Sequence, residues 1–319
     1  IFDNSLRKSL TNFINFNFSK IFKKFFKILI LYTALTFLIF IILKLINLRT
    51  FDSFNLAMTI ISSGGFLPVN NIDSIINTNL KEIGMSFLML FSFFSLYLIY
   101  NIIFLKDKSL NFFAEDIYLF IYFIILIIIF FVLFNFNYNF SSILFSLTSS
   151  MSNIGISLKD TPSNLWLLYL IIVIIGGSFF STSSGLRLLK IYFLFRHSIN
   201  EILSYSKPNN VYTNKFHLIE SNVEQKDINK YFLSVLIFII SLFLITLLFT
   251  IFNINFDEAF KLGILTLMNT VNSSMYDLSN FNFIDLNAQS KLVMIVFMII
   301  GRVELLTLLI IAKKFLFKN

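Results

Sequence analysis

Cysteine is absent from the 319-residue chain, which excludes disulfides and thiolate metal sites. Histidine occurs only as His197 and His217, too few for an ordinary histidine metal centre. Charged residues make up 13% of the chain, against roughly 25% in an average soluble domain. With 57% hydrophobic and 18% aromatic residues, the chain has too little polar surface to cover a core in water. No phosphate-binding glycine loop, zinc-ligand spacing or nucleophile elbow occurs. No charged n-region, short apolar h-region and cleavage site precede the first apolar run, and a chain that opens at Ile1 reads as a fragment. The abundance of Phe, Ile, Asn and Lys reads as nucleotide bias and carries no functional weight.

What the sequence does hold is repeated apolar runs near the ~20 residues that span a bilayer. Six are expected to cross: Ile28–Ile46, Gly84–Phe104, Ile117–Phe134, Trp166–Phe195, Tyr231–Phe252 and Leu292–Ala312. The net charge of +8 points to a membrane rather than to nucleic acid, because the basic residues flank these runs. Arg7, Lys8, Lys20, Lys23, Lys24 and Lys27 precede the first, and Lys313, Lys314 and Lys318 follow the last. Lys106 and Lys108 share one connection with no other basic residue. Arg187, Lys190, Arg196, Lys207, Lys215, Lys226 and Lys230 occupy another. Placed on one side, these satisfy the positive-inside bias and make both ends of the chain cytoplasmic. Trp166 and Tyr169 are expected to anchor the fourth span at an interface, and His197 and His217 to be solvated in the cytoplasmic connection.

Between alternate spans lie three shorter stretches, Phe54–Ser62, Ser141–Ser150 and Phe256–Met268. They are too short to cross and suit re-entrant helices, tolerated where protein or a water-filled cavity surrounds them. Each runs into a small or polar turn. One unit (span, short helix, polar turn, span) thus occurs three times, and the fold class is all-α integral membrane built from such repeats. Asp52, Asp73, Asp160, Asp257, Glu258, Asp277 and Asp285 fall beside the short helices and would form a negative outer vestibule.

A re-entrant helix ending in a glycine-containing turn has a specific use. Its carbonyls can replace a cation's hydration shell, and the negative end of the helix dipole is aimed at the same point. Gly65 and Gly155 are the candidate glycines in the first two turns. In the fourth span, Gly176-Gly177 and Ser178–Ser184, with Phe179 and Phe180 inside, interrupt helix propensity at mid-crossing. Unwound backbone there must face protein or water, and so long a run of kink-prone residues exceeds what a mere bend requires. Arg302 and Glu304 lie inside the last apolar run, where a charge costs on the order of 2.5–3.5 kcal/mol and marks a functional position. Arg302 is roughly ten residues from Lys313, about 15 Å along a helix, too deep for easy snorkelling.

These residues resemble a family. Ala57 through Phe66, ending Ser62-Ser63-Gly64-Gly65-Phe66, is similar to a pore segment of the Trk/Ktr/HKT superfamily of potassium transporters, TrkH branch. Ile175-Gly176-Gly177-Ser178 with Ser181-Thr182-Ser183-Ser184-Gly185-Leu186-Arg187 resembles its intramembrane loop. Gly301-Arg302-Val303-Glu304-Leu305 resembles its last inner-helix signature, and Ser206-Lys207-Pro208-Asn209 the linker before the final repeat.

The resemblance implies four pore repeats, of which this chain holds three. Residues 1–27 would be the linker and tail of a missing first repeat, 28–105 the second repeat and 117–200 the third with the gating loop. Residues 201–230 would be a cytoplasmic linker and 231–319 the fourth repeat. It further implies a selectivity filter of backbone carbonyls at Ser63, Gly64, Gly65 and Phe66, at Asn153, Ile154, Gly155 and Ile156, and at Thr270, Val271, Asn272 and Ser273. The gate would comprise Gly176, Gly177, Ser178, Ser181, Thr182, Ser183, Ser184, Gly185 and Arg302, with Arg302 pointing below the filter and Glu304 anchoring neighbouring helices.

The implied function is potassium uptake by a homodimer in a bacterial inner membrane, with lipid around it and a TrkA-like nucleotide-binding regulatory subunit on the cytoplasmic side. It needs no enzyme chemistry, no nucleic acid and no cofactor in this chain; potassium is the cargo. Asn272 stands where the resemblance expects the filter glycine, and Phe180 and Ser184 replace expected loop glycines. A sodium-permeable or inactive homologue therefore stays an alternative. So does a secondary transporter with broken helices, although that class would show inverted repeats.

Overall fold

The computed structural model describes residues 18–69, 72–94, 114–133, 138–159, 161, 165–178, 181–205, 225–278, 281 and 283–302. The segments at 1–17, 95–113, 206–224 and 303–319 lie outside the described residues. So do the expectations placed on them, namely Arg7, Lys8, Lys106, Lys108, Ser206–Asn209, His217, Glu304 and the basic end at Lys313, Lys314 and Lys318. The same holds for Asp160, Phe179 and Phe180.

The described chain is helical apart from two two-residue strands. Helix α1 (Phe18–Leu45) leads to short α2 (Thr50–Ser62), then α3 (Asn79–Phe93). Helix α4 (Ala114–Leu133) leads to short α5 (Phe140–Met151), then α6 (Trp166–Ile174), which passes into strand β1 (Ile175–Gly176). Strand β2 (Leu186–Arg187) opens α7 (Leu188–Ser204). Helix α8 (Gln225–Ile251) leads to short α9 (Phe256–Met268), then α10 (Ala288–Arg302). The apolar parts of α1, Phe26–Leu45, and α8, Ile228–Ile251, are long and apolar enough to cross a membrane.

Local chemistry sets the boundaries. Helices α1 and α8 each stop at an asparagine in the left-handed region, Asn47 (φ 62) and Asn253 (φ 67). Asparagine is among the few side chains that tolerate this backbone. Each stop returns an amide to the helix end: Leu48 N–H donates to the Leu43 carbonyl and Ile254 N–H to that of Phe249. Two or three residues later a short helix begins, with Asp52 in the first turn of α2 and Asp257 and Glu258 in that of α9. These are the positions where carboxylates favour a helix dipole.

The short helices form the centre. Helix α5 is buried from Ser141 to Met151, and α9 is buried at Ala259 and from Lys261 to Met268. Helix α3 packs along α5, and α6 along α9, so the second long helix of one unit covers the short helix of the next. Apolar side chains including Leu35, Ile39, Leu56, Ile60 and Met89 fill the space around α2. Phe130, Tyr169, Ile245, Phe249 and Leu262 do so around α5 and α9. In lipid such packing holds through close van der Waals contact rather than through release of water.

Among the described residues helix α2 lacks the cover the other two have. Phe51, Phe54 and Met58, at helical spacing, are 70%, 56% and 50% exposed.

Candidate filter and intramembrane loop

The three turns share a cap. Ser63 (φ 52) and Asn269 (φ 53) stand in the left-handed region directly after a short helix, and Asn153 (φ 59) does so one residue later, past Ser152. The following amide closes back onto the helix in each case: Gly64 N–H to the Thr59 carbonyl, Ile154 N–H to Ser149 and Thr270 N–H to Leu265. In the first two turns a helix hydroxyl then props the far limb. Thr59 Oγ1 donates to the Phe66 carbonyl and Ser149 Oγ to the Ile156 carbonyl, both at 2.6 Å.

The turns press against one another. Gly65 (φ 70) and Gly155 (φ 79) have backbone that L side chains rarely adopt. A Cβ on Gly65 would overlap the Ile154 carbonyl oxygen and the Val271 side chain, and one on Gly155 would overlap the Val271 carbonyl oxygen. Gly155 therefore faces Val271 as Gly65 faces Ile154. Ser157 Oγ and Ser274 Oγ, two residues beyond Gly155 and Asn272, meet at 2.9 Å. This spatial register sets Asn272 level with the two glycines.

The third turn reaches that level differently. From the left-handed residue to the level of the glycines is two residues in Ser63–Gly65 and Asn153–Gly155 but three in Asn269–Asn272, whereas from the helix ends at Met151 and Met268 the second and third turns are equally long. Among the described residues Asn272 is not one with positive φ; the left-handed asparagine of this turn is Asn269. In the third turn the left-handed residue stands one position earlier, and none stands level with Gly65 and Gly155. Asn272 Nδ2 instead donates to the Leu278 carbonyl at 3.2 Å. Leu265 stands where Thr59 and Ser149 stand relative to the cap, and the neighbouring Thr266 hydroxyl donates to the Leu262 carbonyl within its own helix.

Beneath the first turn lies the interrupted span. Strands β1 and β2 pair in parallel, Ile175 opposite Leu186 and Gly176 opposite Arg187, and so close the loop between them. The loop is fastened to the end of α3, where Ser178 N–H donates to the Phe93 carbonyl at 3.1 Å and Ser183 N–H to that of Ser92 at 3.2 Å. Arg187 ties it from inside, with Nη1 within 2.9 Å of the Ser178 carbonyl, 2.9 Å of Ser181 Oγ and 3.0 Å of the Ser183 carbonyl. Gly177 leaves no room for a side chain, since a Cβ would overlap the Phe93 carbonyl. Thr182 Oγ1 lies 3.4 Å from Ser63 Oγ, at the base of the first turn.

Arg302 reaches the same place from α10. Its Nη2 donates to the Ser62 carbonyl at 2.9 Å and its Nη1 to Ser184 Oγ at 3.1 Å. A guanidinium at the carbonyl end of α2 has the favourable sign for the helix dipole. The structure thus joins the first turn, the loop and Arg302 in one hydrogen-bonded cluster.

A cleft of about 740 Å³ opens between the first and third turns, lined by Ser62–Gly64, Asn269–Asn272, Met298 and Arg302 among others.

Several sequence expectations change. Tyr169 is no interfacial anchor: it is fully buried, with its hydroxyl 2.9 Å from Ser146 Oγ, because helical spacing turns it toward α5. Trp166 is half-buried, and its ring carries the Lys261 ammonium 4.2 Å from the centroid. His197 lies in α7, half-buried rather than solvated. Of the expected acidic vestibule one carboxylate is buried and two, though exposed, are paired with a lysine. Asp52 is buried, and Asp257 and Asp277 each lie 2.8 Å from Lys261 Nζ.

Burial works against the Lys261 ammonium, but the hydrogen bonds and charges of the two aspartates outweigh it and raise its pKa. Sequence reading passed over Lys261, although a lysine four residues after Asp257 in an otherwise apolar short helix is a readable i,i+4 pair. It also missed the anchoring by Arg187 and the side chains of Asn153 and Asn269. Asn153 Nδ2 donates to the Val173 carbonyl at 3.0 Å, and Asn269 Nδ2 to that of Met298 at 2.9 Å.

Comparison with known proteins agrees with this architecture. The crystal structure of the potassium transporter TrkH from Vibrio parahaemolyticus superposes with a TM-score of 0.80 over 93% of this chain, at 22% sequence identity. The chain spans 65% of the length of that transporter chain. No curated protein matches by sequence. The profile of the TrkH family, described as cation transport protein, matches residues 159–318, half of the chain. That match takes in the interrupted span, the third turn and Arg302, and the chain belongs to the TrkH family of cation transport proteins, which are transporters and not enzymes.

Proposed function

We propose that this chain forms most of a pore for potassium uptake across a bacterial inner membrane. One observation carries the reading: three short helices end in turns whose backbones meet, with Gly65 against the Ile154 carbonyl and Gly155 against the Val271 carbonyl. Carbonyls of Ser63–Phe66, Asn153–Ile156 and Thr270–Ser273 strip and replace the water of a monovalent cation, as such rings do in channels. The helix ends behind them add negative potential. The loop from Gly176 to Gly185, held by Arg187 and capped by Arg302, is the gate below. Transport through it is by channel or symport. The expected homodimer and the TrkA-like nucleotide-binding partner belong to the same reading.

The pore is completed by a fourth unit. Helices α5 and α9 are each covered by a long helix of the preceding unit, whereas α2 exposes Phe51, Phe54 and Met58. The cleft between the first and third turns has the position a fourth short helix and turn would take.

One observation favours a second reading, a pore that also passes sodium. Asn272 lacks the left-handed backbone of Gly65 and Gly155, so the third turn offers a different carbonyl arrangement.

Rubidium uptake by the complete reading frame, in cells lacking their own potassium uptake, tests both. Uptake blocked by potassium and not by sodium supports the selective filter. Equal block by both ions supports the relaxed one, and protein in the membrane without uptake, with the regulatory partner present, refutes both in favour of an inactive homologue.

A further inference from the structure

The third turn needs a support that the other two do not. It lacks the left-handed residue at the level of Gly65 and Gly155 and the hydroxyl prop from its short helix. Its outer limb nevertheless has an attachment, one absent from the first two turns among the described residues. After Ser273 the chain makes a single 3₁₀ turn, Ser274–Tyr276, and ends it at Asp277 in the left-handed region (φ 57). Asp277 Oδ2 lies 2.8 Å from Lys261 Nζ, and Lys261 is 2% exposed in the middle of α9. Asp257, one helical turn earlier, also lies 2.8 Å from the ammonium, and the Trp166 ring of α6 has its centroid 4.2 Å away.

We propose that Lys261 is a positioning residue for ion selection: through Asp277 it holds the outer limb of the third filter turn against α9, replacing the hydroxyl prop of the first two turns. The proposal rests on the filter reading above. Its geometry is that of a brace. Lys261 is anchored in a buried helix, Asp257 and Trp166 fix its side chain, and Asp277 belongs to the segment that would otherwise move. Both ends of the turn are then tied, at Asn269 by the cap and at Asp277 by the ion pair.

The pair also permits a clean test. Removing one partner of a buried ion pair usually leaves an uncompensated buried charge. Here the carboxylates of Asp257 and Asp277 are 68% and 57% exposed, so water can take over from the lysine. Methionine matches the apolar stem and makes favourable contact with an aromatic ring. Lys261→Met therefore removes the tether and leaves the packing in place.

The chain has no cysteine, so one introduced thiol reports without background. Leu278→Cys, at a position 3% exposed beside the brace, is labelled with a water-soluble maleimide in the purified full chain. Met275→Cys, at a position 0% exposed, replaces it if that variant does not assemble. We expect Lys261→Met and Asp277→Asn each to raise the labelling rate about tenfold or more. Asp257→Asn, within the same helix as Lys261, should raise it far less, and Lys261→Arg should restore slow labelling. In uptake assays Lys261→Met should lower the preference for rubidium over sodium, and Lys261→Arg should keep it.

An unchanged labelling rate in Lys261→Met overturns the brace. A raised rate with an unchanged rubidium-to-sodium ratio overturns its role in selection. If the parent complete reading frame carries neither ion, the filter reading has failed, and the labelling rates alone decide whether Lys261 holds the limb.

Discussion

Alanine at Gly155 is the most direct test of whether the meeting turns conduct ions. Gly155 has φ 79, and its added Cβ would overlap the Val271 carbonyl oxygen, with Thr270 Cγ2 at 2.7 Å and Val271 N at 2.9 Å. Left-handed backbone alone costs an L residue roughly 1–2 kcal/mol, about a 5- to 30-fold change in population. The overlap adds to this, because its partner is backbone and not the movable end of a side chain. The turn relieves it only by shifting the carbonyls that would face the ion. Gly155→Ala should therefore reach the membrane in normal amount, take up rubidium at a tenth of the parent rate or less, and lose preference over sodium. Gly84→Ala is the control: its nearest neighbour is Ile46 Cδ1, the flexible end of a side chain, so uptake should stay near the parent rate. Parental rate and ion preference in Gly155→Ala would refute the filter.

Thr59→Val keeps shape and removes the 2.6 Å bond to the Phe66 carbonyl; sodium should then compete better with rubidium while the melting temperature falls only slightly. Arg302→Gln removes a charge-assisted bond to the Ser62 carbonyl, a class worth about 1.5–3 kcal/mol. Hydrogen exchange across residues 181–187 should accelerate at least tenfold. Arg187→Met removes the one nitrogen, Nη1, that lies within 3.0 Å of three loop acceptors, so uptake should fall several-fold with the protein still in the membrane. For Lys261 the folded pKa is raised, so its stabilisation is present below the ordinary lysine value and lost as pH rises through the higher one. The melting-temperature gap between parent and Lys261→Met should hold from about pH 7 to 9 and close at stronger alkalinity.

Much of this organisation was legible because membrane folds write their elements in simple terms. Runs of Ile, Leu and Phe long enough to span bilayer marked α1 and α8, and the predicted third short helix, Phe256–Met268, matches α9 residue for residue. Gly176-Gly177 and the serine run marked the break in the fourth span, since unwound backbone needs residues that tolerate it. Tyr169 misled for an equally simple reason. A tyrosine near a span end has the composition of an interfacial anchor, but its helical phase points it into the core, where Ser146 takes its hydroxyl.

Periodicity, local hydropathy and glycine placement are properties of neighbours along the chain, and they determined which segments are long helices, short helices and turns, and which family the chain resembles. The tertiary structure alone decided what crosses between units. It pressed Gly65 against Ile154 and Gly155 against Val271, placed Arg302 against both Ser62 and Ser184, and brought Asp277 to Lys261. Such pairings depend on helix phase and on how one unit leans on the next, and pairs separated by 16, 118 or 240 positions leave no signature in local order.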